Sequence, residues 1–126
     1  MKFLRFIPAI IWFIFTVVLL CLPGSKIPKY TFLTLIHADK WVHIAMFGIL
    51  CFLFNQAFCK LVVTKKGLRI YLFAVTFSGI AYGTIMEFVQ KYWIPGRSFD
   101  VFDILADTIG CLLALGYCHR KFILKG

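Results

Sequence analysis

Acidic side chains are scarce in this chain, five against fourteen Lys and Arg in 126 residues. Internal repeats, low-complexity tracts and linkers are missing altogether. Paired-cysteine motifs are missing too. Cys21, Cys51, Cys59, Cys111 and Cys118 are odd in number, show no CxxC and no Cys/His ligand spacing, and lie in or beside apolar segments. They give no reason to invoke a disulfide framework or a zinc site, and read as small apolar residues.

What fills the chain is apolar: 62% of its residues are hydrophobic and its mean hydropathy is +0.92, more than one soluble core of this size could bury. A helix crosses the hydrocarbon in about 20 residues. Four stretches are long enough, from about Phe6 to Leu22, Trp41 to Cys59, Ile70 to Trp93 and Val101 to Cys118. The expectation is an all-α integral membrane protein, a single domain of four transmembrane helices in a compact bundle. Lys2 and Arg5 ahead of an apolar run that stops at Pro23-Gly24-Ser25 also resemble a signal peptide. The length of the run, the lack of a small-x-small site and Leu20 before Cys21 favour a retained first span.

The formal charge of +9 is spread over every loop with no soluble surface to carry it, which argues against a nucleic-acid partner. It fits topology instead. Lys2, Arg5, Lys60, Lys65, Lys66, Arg69, Arg120, Lys121 and Lys125 flank one set of span ends, while Lys26, Lys29, Lys40, Lys91 and Arg97 flank the other. Nine against five places both termini in the cytoplasm by the positive-inside rule. All five acids, Asp39, Glu87, Asp100, Asp103 and Asp107, lie at or just inside the second set of ends, facing outward. A carboxylate at the centre of a membrane helix costs roughly 3 kcal/mol to insert, so five gathered together need a common explanation.

Spacing sorts them onto faces. Asp39 and His43 are four residues apart, which stacks carboxylate over imidazole, either as an ion pair at a helix start or as an oriented acid–base group. Gly79, Gly83, Glu87 and Gln90 form one stripe, small in its inner half and polar in its outer half; Asp103, Asp107, Gly110 and Ala114 repeat the design. Small-xxx-small faces let membrane helices approach closely, so both stripes are expected to point into the bundle. Pro95 and Gly96 demand a turn, after which Ser98 or Asp100 is a natural N-cap. Arg97, in that turn, is either a structural counter-ion or a planar fork for a phosphate or carboxylate. Charge balance leaves three options: some carboxylates hold Lys40 and Arg97, several are protonated, or a divalent cation sits among oxygen ligands. No cofactor motif is present.

The run Asp39-Lys40-x-x-His43-x-x-x-Phe47, then Glu87-x-x-Gln90-x-x-x-x-Pro95-Gly96-Arg97-Ser98-Phe99-Asp100-x-x-Asp103-Ile104-Leu105-Ala106, then Gly110 and Gly116, resembles the VanZ-like family of small bacterial membrane proteins. One departure stands out: where that family usually has Asn, this chain has Asp107. The resemblance implies a multi-pass protein of the bacterial cytoplasmic membrane that influences a lipid or cell-wall intermediate; the founding member is linked to teicoplanin resistance.

Two readings of different class follow. In the first, an outward-facing polar pocket binds or processes a phosphate- or sugar-bearing lipid, through Lys40, Gln90, Arg97, Asp100, Asp103 and Asp107. Its enzymatic version has Asp39 orienting His43 as base or acid, with Glu87 as a second acid–base group. In the second, the chain is a non-catalytic helper that joins another membrane protein, or a copy of itself, through its Gly/Ala faces. Proton-coupled transport through Glu87 and Asp107 is a third option, disfavoured by four short helices without a repeat.

Overall fold

The computed structural model describes residues 2–21, 38–95 and 99–124, with side chains from residue 3 onward and, in the second segment, from Lys40 onward. Among the described residues there is no strand. A 3₁₀ turn, Lys2–Phe6, leads into α1, Ile7–Leu20, with Pro8 in its first turn where the missing N–H costs nothing. The next helices are α2, Ala38–Leu61; α3, Lys65–Trp93; and α4, Val101–Cys118, which continues as a π-helical segment, His119–Leu124. All four are long and apolar enough to cross a membrane.

The helix ends follow local chemistry. Thr64 caps α3 by accepting the Gly67 N–H at 3.1 Å. Ahead of Pro95, Ile94 is driven to extended backbone (φ −107°, ψ 116°), which stops α3 at Trp93. Asp100 caps α4, its Oδ1 accepting the Phe102 N–H at 2.9 Å, and Ser98 lies outside the described residues.

The bundle is organised around the α2–α4 crossing. A Cβ on Gly110 would strike the Ile44 carbonyl oxygen and lie 3.0 Å from the Gly48 nitrogen, so only hydrogen lets these backbones meet there. Gly79 and Gly83 do the same for α3, which packs directly on the Cys51 and Cys111 thiols and on the Asp107 carboxylate. Around these contacts lies a core of Leu20, Met46, Phe47, Cys51, Met86, Cys111 and Ala114; a second cluster, Leu68, Leu72, Cys118 and Ile123, closes the other end. Large apolar side chains such as Ile11, Phe73, Phe77, Phe102 and Leu113 are exposed, as lipid-facing positions are. Peripheral α1 is tied in by polar links: Trp12 Nε1 donates to the Met46 carbonyl at 3.0 Å, and Gln90 Nε2 to the Leu20 carbonyl at 2.8 Å.

Candidate functional site

The start of α2, the last third of α3 and the first two turns of α4 meet at one end of the bundle and bring six of the expected side chains together. Lys40 and His43, three residues apart on α2, face Asp103 and Asp107, four apart on α4, in a two-by-two arrangement. Lys40 Nζ donates to Asp103 Oδ1 at 2.6 Å and to Asp100 Oδ2 at 2.5 Å. His43 Nδ1 is 2.7 Å from Asp107 Oδ1. The other ring nitrogen, Nε2, faces Asp103 Oδ2 at 3.9 Å, beyond hydrogen-bond reach. Asp103 is thus shared, one oxygen on the ammonium and the other turned to the imidazole.

Glu87 completes the cluster from α3. Its Oε2 accepts the Asp100 backbone N–H at 3.0 Å, fastening the α4 N-cap to α3, and its carboxyl also stands beside Asp103. Exposure falls from rim to floor. The side chains of Lys40 and Asp100 are 20% and 35% exposed, whereas Glu87 and Asp107 retain only 1% and 2%. Four carboxylates, one ammonium and one imidazole in so dry a place must neutralise one another or hold protons, because an isolated ion there is far more costly than a pair.

The floor is shaped for Asp107. Opposite it, α3 presents Gly83, where a Cβ would lie 2.6 Å from Asp107 Oδ2, so Gly83 is the vacancy that admits the acid. The His43 ring is braced by Phe47 one turn deeper, nearly parallel at 5° and 6.4 Å between centroids. Phe47 in turn meets Tyr82, whose hydroxyl lies 3.0 Å from Thr16 Oγ1. Thr16 donates its one hydroxyl hydrogen to the Phe13 carbonyl, so Tyr82 is the donor in that bond. The chain of contacts runs from the imidazole across to α1.

Other expected positions are placed differently. Gln90 is fully buried on the same stripe, but its amide N–H₂ secures the α1 terminus while its Oε1 has no partner among the described residues. Arg97 and the side chain of Asp39 lie outside the described residues. The imidazole partner that the structure does show is Asp107. Among the described residues no three His, Cys, Asp or Glu side chains are grouped to hold a metal ion. Spacing within the sequence did not flag Tyr82 and Thr16 as the links behind the cluster, nor Asn55. Asn55 is fully buried on α2, its amide beside the Cys118 thiol. A lone amide in an apolar span was the signal available for it.

No curated protein and no solved structure proved similar to this chain. The profile of the VanZ/LLP1 family does match it, over residues 3–124. That match takes in all four membrane-spanning helices and the whole polar cluster, so this multi-pass membrane protein belongs to the VanZ/LLP1 family.

Proposed function

We propose that the chain is one four-helix unit of the bacterial cytoplasmic membrane whose outward polar cluster engages the head of an amphiphile, a phosphate- or sugar-bearing lipid or lipid-linked cell-wall intermediate. The observation that carries this reading is His43, buried between Asp107 and Asp103 with Glu87 alongside, built from three separate helices. Interhelical adhesion needs no imidazole held by a carboxylate at one nitrogen and, among the described residues, left without a hydrogen bond at the other. That is the arrangement of an oriented acid–base group.

The chemistry follows from exposure. A head group arriving from the aqueous side meets Lys40 and Asp100 first, with Arg97 adjacent in sequence as a fork for phosphate or carboxylate. Displacing the Lys40 pairs opens the way to His43 Nε2, which takes a proton from a hydroxyl or water, or returns one to a leaving oxygen. Asp107 holds the ring by Nδ1 throughout and stabilises the imidazolium. Glu87 is the second proton-bearing group, and the chains of the amphiphile lie against the apolar faces outside the bundle. The helper reading has less to stand on, because Gly79, Gly83 and Gly110 are buried within the chain's own bundle rather than offered to a partner.

The test is turnover of a polyprenyl phosphate and of a lipid-linked sugar phosphate by the purified chain in lipid nanodiscs. Loss of activity by about 100-fold or more is expected for His43→Ala and Glu87→Gln, the range of a lost general acid–base group. Equal turnover in wild type and variants removes the enzymatic version. Equal binding of polyprenyl phosphate by wild type and a Lys40→Gln variant removes the ligand site as well. In cells, the family resemblance makes teicoplanin susceptibility the phenotype to follow, with His43→Ala as the control that abolishes any shift.

A further inference from the structure

The opposite end of the bundle carries a separate feature. A cavity of about 290 Å³ lies between the start of the first span and the last turns of α2, lined by Arg5, Pro8, Leu53, Gln56, Ala57 and Lys60. Its walls are divided in character, with two cations and an amide beside an apolar surface of Pro8, Leu53 and Ala57.

Among the described residues no acidic side chain pairs with those cations. All five acids belong to the other end. Lys60 is twenty residues along α2 from Lys40, about 30 Å at the helical rise, far beyond ion-pair reach. Nor is Arg5 simply splayed into water. One of its guanidinium N–H groups donates to the Lys60 carbonyl at 3.0 Å. That carbonyl is among the last four of α2, which have no intrahelical donor. The bond fixes the planar fork at the cavity, with its other donors unassigned among the described residues. A fixed guanidinium, a neighbouring ammonium and an amide are the donor set for a phosphate, and basic pockets between spans are where anionic head groups settle.

We propose that this cavity binds the head group of an anionic phospholipid, its phosphate between Arg5 and Lys60. The acyl chains run along the apolar wall onto the exposed faces around Leu4 and Ile11. A free inorganic anion has no use for that wall, and both cations lie within segments apolar enough to span the bilayer. The site stands apart from the His43 cluster and does not depend on its chemistry.

The experiment offers phosphatidylglycerol or phosphatidylcholine of matched chains to the full-length protein in non-ionic detergent and counts retained lipid by native mass spectrometry. Phosphatidylglycerol is expected to be retained about 10-fold over phosphatidylcholine. Arg5→Gln with Lys60→Gln abolishes the preference. Lys65→Gln with Lys66→Gln, an equal loss of charge outside the cavity, leaves it intact. Arg5→Lys with Lys60→Arg keeps both charges and preserves it, so a loss in the Gln pair is not a folding defect. Four results would overturn the assignment: equal retention of the two lipids; an unchanged preference in the Arg5/Lys60 Gln pair; the same loss in the Lys65/Lys66 pair or the charge-preserving pair; or full displacement of phosphatidylglycerol by millimolar inorganic phosphate.

Discussion

His43 and Asp107 are the pair on which the site turns, and their coupling is measurable apart from any activity. Both are nearly inaccessible to water, and the 2.7 Å contact satisfies Nδ1 and one carboxylate oxygen at once. Removing either partner leaves the other buried and unpaired, at a cost of about 1–3 kcal/mol. His43→Ala and Asp107→Ala should each lower unfolding stability in detergent by that amount, while the double variant loses less than the sum. A coupling of about 0.5–3 kcal/mol is expected for groups in contact, and additivity within about 0.3 kcal/mol would show that the contact carries no energy. Asp107→Asn keeps an accepting oxygen toward the ring and should cost less than Asp107→Ala. This pairing also marks how far single residues could be read from sequence. Four-residue spacing names neighbours on the same helix, hence Asp39 beside His43. Asp107 is 64 positions away and meets the ring only because α2 and α4 cross at one particular register.

That register belongs to the elements, and glycine sets it. The stripes Gly79, Gly83, Glu87, Gln90 and Asp103, Asp107, Gly110, Ala114 were legible as inward faces from their spacing, and every one of these residues is buried. What spacing could not supply is which backbone each glycine admits. Gly110 admits α2, Gly79 admits two thiols, and Gly83 admits the acid itself. The ends were legible where Pro95 and Asp100 act locally, but α2 begins before Trp41 and α3 before Ile70, because Lys40, Lys65 and Arg69 extend helices that hydropathy alone would cut short. The glycine contacts give an ordered expectation for alanine scanning. At Gly110 a methyl group meets backbone, which cannot rotate away, so Gly110→Ala should destabilise by about 1–3 kcal/mol, the usual cost of overpacking. Gly116, with nothing within 4 Å of its Cβ position, should accept Ala without loss. Thermal unfolding of the two variants in the same detergent makes the comparison; similar melting temperatures would mean that α2 and α4 are not held at this distance by their glycines.

Across the whole molecule, charge is divided along the bundle axis. The end that holds the His43 cluster, with its flanking connections, carries five acids and five Lys or Arg, so it is formally neutral, and the entire net charge of +9 lies at the end of Arg5, Lys60 and Lys121. The positive-inside rule counts Lys and Arg, and that end holds nine of them against five at the other. Both termini are therefore expected in the cytoplasm. A green fluorescent protein fused after Gly126 should fluoresce and alkaline phosphatase fused there should be inactive, while phosphatase inserted after Pro95 should be active. The reverse pattern would put Lys40, His43 and Asp107 on the cytoplasmic side, where an extracytoplasmic cell-wall intermediate cannot reach them. The orientation is open to a further check. Exchanging Lys60, Lys65, Lys66 and Arg69 for Gln removes four of the nine retaining charges, those on the helix ends that flank the α2–α3 connection. If charge asymmetry holds the bundle in place, this variant should show a mixed population by the same two fusions, whereas neutralising Lys40 and Lys91 should leave the wild-type pattern unaltered.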